Sequence, residues 1–228
     1  EPKFKPDVSA EEVAGYANTS LQVLRNSDRG IALDAMAAGI KVAVLKYFNE
    51  GYFDGIISLG GGGGTGVSCT AMRELPIGVP KIMVSTVASA DVSPYVGTSD
   101  INMMPSIVDV AGLNRISTAI FTNAANAISG MVSKLEKQTT IQSSKPLIAA
   151  SMFGNTTRAV DHARELMEKA GYEVIVFHST GTGGKTMERL ISEGYFDGVL
   201  DMTTTEWADE ICGGVLSASN HRLEAAAL

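Results

Sequence analysis

Cysteine, basic charge and long hydrophobic runs are scarce in this chain, and each shortage removes a class of function. Its 228 residues include two cysteines, Cys69 and Cys212, which lie far apart and outside any Cys-x-x-Cys pair. Neither a zinc site nor a disulfide framework is indicated, and both are read as reduced, packed thiols. Lys and Arg number 18 against 25 Asp and Glu, a net charge of -7, with no clustered basic face, which argues against binding a nucleic-acid backbone. No stretch approaches the roughly 18 uninterrupted apolar residues of a membrane span. The N-terminus carries no charged-then-apolar leader pattern, so a cytoplasmic location is expected. The chain opens at Glu1 without Met and ends in what reads as the first turns of a helix, His221 to Leu228. It is expected to be incomplete at both ends.

What is present is a chain able to bury a core. Apolar residues make up 45% and charged residues 19%, the latter below the roughly 25% of ordinary soluble proteins, so much of the chain should be covered by other structure. The length fits one or two domains, and two are favoured. Ser9 and Glu12 have capping-box spacing, and Asp28 precedes an apolar-periodic run from Ile31 to Phe48 closed by Gly51, so the first fifty residues read as helical. Phe53 to Leu59 reads as a buried strand, Thr65 to Leu75 as a helix, Val79 to Thr86 as a strand, and Met103 to Glu136 as mostly helical with breaks near Pro105 and Gly112. Beyond a polar stretch from Lys137 to Lys145 comes strand Leu147 to Ser151, helix Thr156 to Ala170, strand Glu173 to Phe177, helix Gly184 to Ile191, strand Gly198 to Asp201 and a helix from Thr205. Strands alternating with helices predict an α/β protein with parallel sheets covered on both faces. The predicted domains are residues 1–141 and 142–228, with the boundary near Gln142.

An internal repeat supports the division. Glu50-Gly-Tyr-Phe-Asp-Gly55 recurs as Glu193-Gly-Tyr-Phe-Asp-Gly198, each time after a helix and before an apolar strand. The repeated residues suit a helix C-cap with an aromatic pair beneath the sheet. They also make the segments after Leu59 and after Leu200 equivalent places, at the sheet edge where α/β folds bind ligands.

Five glycines in succession, Gly60, Gly61, Gly62, Gly63 and Gly64, lie between a strand and a helix. Each glycine costs roughly 0.5 to 1 kcal/mol relative to alanine inside regular structure. Access for an anion is one reason for such a run, because bare amides and a helix N-terminus suit phosphate; a tight packing turn is the other. Thr65 would add a hydroxyl to a phosphate oxygen or Mg2+. The pattern lacks the third glycine and the acidic ribose partner of a dinucleotide fingerprint, so NAD is disfavoured. Ser179-Thr-Gly-Thr-Gly-Gly184-Lys185-Thr186 has the close of a P-loop but Ser where the first glycine should be; it could hold a second anion, with Lys185 the basic residue to test. The loop Ser85 to Asp100 is dense in hydrogen-bonding groups, including Asp91, Ser93, Tyr95, Thr98, Ser99 and Asp100, and reads as ligand-facing or as solvated surface. Asp91 and Asp100 are candidates to hold Mg2+ through water. In the second half, Thr203-Thr204-Thr205-Glu206 occupies the place of the glycine run, with Thr205 a candidate N-cap. His178 is read as an acid or base, or as a core histidine. His162 and His221 receive no role.

Leu59-Gly-Gly-Gly-Gly-Gly-Thr65, Met83-Val-Ser-Thr-Val-Ala-Ser89, Pro94-Tyr-Val-Gly-Thr-Ser-Asp100 and Val110-Ala-Gly-Leu-Asn-Arg-Ile116 together resemble the ATP-binding domain of the tobamovirus-multiplication inhibitor family. That family includes the tomato mosaic virus resistance protein and bacterial relatives. Phe177-His-Ser-Thr-Gly-Thr-Gly183 and Asp201-Met-Thr-Thr-Thr-Glu206 continue the likeness across nearly the whole chain, which is more similar to the uncharacterised bacterial members. The resemblance implies two Rossmann-like subdomains, ATP binding with Mg2+ as a candidate companion, and self-association into a homodimer or higher oligomer. In the plant member it implies inhibition of viral RNA replication through the viral replication protein. The family's opening strand and first glycine-bearing turn lie upstream of Glu1.

The candidate ligand contacts are therefore Gly60 to Gly64 and Thr65, then Ser85, Thr86, Ser89, Asp91, Thr98, Ser99 and Asp100. Thr182, Gly183 and Thr204 join them from the second half. No catalytic residue is assigned. The leading expectation is a nucleotide-binding module. Its rivals are a small-molecule kinase or related phosphoryl transferase, and an interaction scaffold with an architectural glycine turn.

Overall fold

The computed structural model describes residues 4–135 and 144–227. The chain divides into two compact units, Glu1–Thr139 and Thr140–Leu228; the expected boundary near Gln142 lies outside the described residues.

In the first unit, α1 (Ala10–Tyr16) is N-capped by Ser9, whose Oγ accepts from the Glu12 amide at 3.1 Å. Only that half of the capping box forms. The Glu12 carboxylate instead accepts the hydroxyls of Tyr47 at 2.6 Å and Tyr16 at 3.2 Å, a tie that draws a later helix onto α1. That helix is α3 (Arg29–Asn49), preceded by α2 (Leu21–Arg25) and opened by Asp28, whose Oδ1 accepts from the Gly30 amide at 2.7 Å. Strand β1 (Ile56–Gly60), helix α4 (Gly62–Met72), strand β2 (Lys81–Ser85), the single turn α5 (Ser93–Val96), strand β3 (Asn102–Pro105) and helix α6 (Arg115–Leu135) come next. The strands are parallel in the order β1-β2-β3. Every residue of β2 is buried. Met83 packs with Cys69 and Met72 of α4, and Ile82 and Val84 with Ala124, Ile120 and Phe121 of α6. Burial on both faces matches the consecutive apolar residues Ile82, Met83 and Val84 at its centre.

Three boundaries depart from expectation. β1 begins at Ile56 rather than Phe53, because Phe53 turns under the sheet to Phe48 at 5.8 Å between centroids. Gly55 meanwhile approaches so closely that a Cβ would fall 2.8 Å from Val132. α4 begins at Gly62 rather than Thr65, so the later glycines belong to the helix. Met103 lies in a strand, not a helix: Asn102–Pro105 pairs with Ile82–Ser85, and Pro105 is tolerated because β3 is an edge strand.

In the second unit, β4 (Leu147–Met152), α7 (Thr157–Lys169), β5 (Glu173–His178), α8 (Thr182–Ser192), β6 (Gly198–Leu200) and α9 (Thr205–Cys212) build a parallel sheet of order β5-β4-β6. α7 and α8 both pack against β4 and β5, burying Val160 and Met187. Because β4 connects to β5 on one side and pairs with β6 on the other, a topological switch falls between β4 and β6. Residues 221–227, expected to open a helix, form turns instead, tied down by the buried Arg222.

The repeat is a structural repeat. Gly51 and Gly194 both take φ +75, the left-handed C-cap that glycine allows. Their amides donate to Phe48 O and Ile191 O at 2.9 Å, and the next tyrosines donate to Tyr47 O at 3.0 Å and Leu190 O at 3.1 Å. Of the two cysteines, Cys69 is buried, and burial pushes its thiol pKa up, opposed by Arg73. Cys212 is exposed at the end of α9, so the expectation of two packed thiols fails there: Cys212 is the last residue of a short terminal helix, with Gly213 taking the left-handed C-cap.

Lys81, with no side-chain exposure, donates to Pro76 O at 2.6 Å, Val79 O at 3.1 Å and Asp100 Oδ1 at 2.7 Å. Burial raises the Asp100 pKa, but Lys81 and the Gly78 amide outweigh it and hold the carboxyl below its ordinary 3.8. Asp100→Asn should therefore cost about 1–3 kcal/mol in urea unfolding at neutral pH, the partial exposure of Asp100 keeping the loss below that of a fully buried pair. A depressed carboxyl stabilises above its unfolded pKa and loses that contribution as pH falls through the folded one. The gap between wild type and variant should close below pH 3.8.

Candidate functional site

The glycine turn sits at the C-terminal end of β1. Gly60 O accepts from the Thr86 amide at 3.2 Å, and Gly61 takes the N-cap position of α4 with no side chain to offer. Thr65 is fully buried: its Oγ1 bonds Gly61 O at 2.8 Å and Ser85 Oγ at 2.6 Å, while Ser85 Oγ accepts from the Val87 amide at 3.1 Å. Those bonds use both hydroxyl protons. Thr65 and Ser85 therefore brace the turn from beneath, and the expectation that the Thr65 hydroxyl meets a phosphate or Mg2+ is corrected.

Of the five glycines, only Gly60 has a packing reason, since a Cβ there would lie 3.1 Å from Gly64 Cα. A Cβ at Gly62 or Gly64 would meet nothing within 4 Å, and at Gly61 or Gly63 it would make ordinary contacts of 3.7 and 3.6 Å. None of the five has positive φ. The amides of Gly62, Gly63 and Gly64 belong to the first turn of α4 and have no partner inside the helix; among the described residues no other group accepts from them. Arg29, exposed at the start of α3, holds Nη2 3.8 Å from the Cβ position of Gly63. A guanidinium thus stands beside the positive end of α4. Sequence reasoning missed Arg29 because that proximity arises from the packing of α3 on α4.

A cleft of about 470 Å³ opens beside the turn, at the C-terminal ends of β2 and β3, lined by Ser85, Thr86, Ser89, Pro105, Ser106, Ile107, Val108 and Asp109. The structure thus brings Ser85, Thr86 and Ser89 to the site. It does not bring the end of their loop: Asp100 is bound to Lys81 and the Gly78 amide at the opposite end of β2, about 13 Å away at 3.3 Å per residue. Thr98 and Ser99 lead into Asp100 on that far side, ahead of the buried Ile101. Asp91 closes a local turn, accepting from the Ser93 amide at 3.0 Å, and its hydrogen bonds to Ser93 hold its carboxyl below the ordinary value.

The second glycine turn is filled. Glu206 Oε1 accepts from the amides of Gly181 at 2.7 Å and Gly184 at 3.1 Å, so a carboxylate of the chain occupies the N-terminus of α8. A Cβ would fall 1.8 Å from His178 O at Gly183 and 2.1 Å from Glu206 at Gly184, and Gly181 has φ +83. Every glycine here is required by the fold. Glu206 Oε2 takes Arg222 Nε at 2.7 Å, and the same buried guanidinium bonds Asp201 and Glu188. Burial opposes the Arg222 charge, but Asp201, Glu206 and Glu188 raise its pKa above the ordinary value. Asp201 also accepts from Ser151, and Thr203 pairs with Thr156 at 2.7 Å, so the β4–β6 switch is closed by protein groups. Thr182 is exposed at the start of α8 and Lys185 is exposed on it. Thr204, rather than Thr205, takes the N-cap of α9, and its side chain makes no cap bond. His178 is exposed, its ring 5.5 Å from Phe153.

Residues 1–137 match the N-terminal domain, and residues 145–228 the C-terminal domain, of an uncharacterised protein family, UPF0261. The chain belongs to UPF0261. A UPF0261 protein of Clostridium tetani is 50% identical over 227 residues, covering 99% of this chain and 56% of the relative. One of Rhizobium meliloti is 46% identical over 227 residues, covering 99% of the chain and 55% of the relative. The ToMV resistance protein Tm-1(GCR237) of Solanum lycopersicum is 43% identical over 200 residues, covering 86% of the chain and 26% of the relative. The chain spans about half the length of these bacterial UPF0261 relatives. Among the described residues no helix is long and apolar enough to cross a membrane.

The Glu206 network yields a test. Glu206→Ala leaves the Gly181 and Gly184 amides and the Arg222 Nε donor without a partner, while Asp201 and Glu188 still neutralise the guanidinium, and should cost about 2–5 kcal/mol in chemical unfolding. Hydrogen exchange at Gly181 and Gly184 should accelerate first; unchanged protection there would refute the role of the carboxylate.

Proposed function

We propose that the first unit binds a nucleotide, ATP foremost, with its phosphates on the Gly61 to Gly64 turn and its nucleoside in the adjoining cleft. The observation that carries this reading is a row of glycines that the fold itself does not use: Gly61 to Gly64 have neither positive φ nor a crowded Cβ position. Those inside the helix, Gly62 to Gly64, each forgo roughly 0.5–1 kcal/mol of helix stability, a loss explained by a ligand that must approach the backbone. The filled turn of the second unit is the internal comparison, because there a carboxylate already answers the amides. Arg29 adds a positive charge to the phosphate end, where a planar guanidinium suits phosphate oxygens. Binding is what these groups support; among the described residues no three or more His, Cys, Asp or Glu gather to hold a metal ion.

Gly64→Ala should raise stability by about 0.5–1 kcal/mol while weakening ATP. Calorimetric titration with ATP and Mg2+, beside a thermal melt of the same variant, reads both. A melt that falls together with binding would make the turn architectural. Arg29→Gln should weaken ATP about tenfold and AMP less, with a shallower salt dependence. Steady phosphate release, or transfer to an added acceptor, would replace the binding reading with a phosphoryl transferase.

A further inference from the structure

The cleft beside the glycine turn carries an acidic group where a phosphate site would want a basic one. Asp109 is exposed on its lining, its Oδ1 accepting from the Val110 amide at 2.8 Å; among the described residues no group donates to Oδ2, and no Lys or Arg lines the cleft. The segment bearing it is sharply bent. Ile107 has φ +64, a costly backbone for a β-branched residue, and its side chain is 70% exposed on the cleft wall. The bend is pinned on both sides: Ser106 N donates to Ser85 O at 3.0 Å, and Val108 N donates to Ser106 O at 2.7 Å. The Ser106 hydroxyl closes the same turn on Val108 O at 2.7 Å. A strained turn therefore presents one apolar side chain and, two residues on, one carboxylate to the same cavity.

Such a wall repels phosphate and suits a neutral group that donates two hydrogen bonds beside the exposed Ile107 side chain. We propose that Asp109 binds the vicinal diol of a ribose, with the base against Ile107, so that the site prefers ribonucleotides to 2′-deoxyribonucleotides. The proposal rests on the nucleotide reading above and sets the ligand's direction: phosphates at the cationic turn, sugar at the anionic wall. A carboxylate holding a ribose diol is the acidic partner that α/β nucleotide sites use, here delivered from the end of β3.

Calorimetric titration of the wild-type chain with ATP, 2′-deoxy-ATP and inorganic tripolyphosphate tests it, with Asp109→Ala and Ile107→Gly as variants. Wild type should prefer ATP to 2′-deoxy-ATP about ten- to hundredfold, the worth of a hydrogen bond to a charged group. Asp109→Ala should abolish the preference by weakening ATP alone, leaving tripolyphosphate unchanged. Ile107→Gly should melt higher, through relief of the turn, and bind both nucleotides more weakly without affecting tripolyphosphate. Equal wild-type affinity for the two nucleotides, or a preference that survives Asp109→Ala, would overturn the assignment while leaving the phosphate site standing. Failure of wild type to bind any of the three would overturn both.

Discussion

The carboxylate of Glu206 holds the C-terminal edge of the second unit together, because three otherwise unanswered donors converge on it. The amides of Gly181 and Gly184 and the guanidinium of Arg222 are all buried there, where an unpaired donor is expensive and an unpaired charge more so. Arg222 in turn draws in Asp201 and Glu188, and Glu188 receives the amides of Leu223 and Ala225 at 2.7 and 2.9 Å. The turns after α9 are thereby packed into the sheet edge with no regular element to hold them. Three carboxylates around one guanidinium leave a net negative charge under cover. The amides of Gly181 and Gly184 and the Ser151 hydroxyl, which itself accepts from the Thr203 amide, help to disperse it.

The first unit presents the same problem at its own glycine turn and leaves it unsolved. A helix that succeeds a parallel strand aims its free amides at the sheet edge. α8 has Glu206 to meet them; α4 has Arg29 beside it, a charge of the wrong sign for the task. Two positive features placed together suit an anion between them. The cleft beyond supplies no cation either, only hydroxyls and Asp109. The proposed nucleotide, with phosphates at one end and a neutral hydroxylated sugar at the other, would match that arrangement, which a simple anion would not.

Much of the architecture was legible because it derives from period and punctuation. The alternation of apolar runs with helical spacing announced parallel sheets, and the repeated Gly-Tyr-Phe-Asp-Gly announced two equivalent helix ends. β3 was hidden because Asn-Met-Met-Pro carries no β-branched residue and its Pro suggests a break; its place is set by pairing with β2, a non-local fact. Thr65 was misread for a different reason. Adjacency to the glycines suggested a ligand contact, but a threonine in the first turns of a helix can turn its hydroxyl back to the carbonyl four residues earlier, here Gly61 O. Glu206, Arg222, Arg29 and Asp109 went unassigned for one shared reason. Each acts with groups placed beside it by the fold, and a charged residue read alone is ordinarily a solvated one.

The repeat shows how the two edges came to differ on one scaffold. Gly51 and Gly194 cap their helices with the same φ, and β1 follows Gly55 while β6 opens on Gly198, each a glycine that lets a neighbouring side chain approach closely. The segments beyond those strands diverge. After β1 come glycines, which put nothing above the backbone and leave amides exposed. After β6 comes Asp-Met-Thr-Thr-Thr-Glu, in which Asp201, Thr203 and Glu206 are committed to Arg222, Ser151 and α8. Side chains fill one edge from within, and bare backbone lines the other, the edge at which the proposed nucleotide would bind.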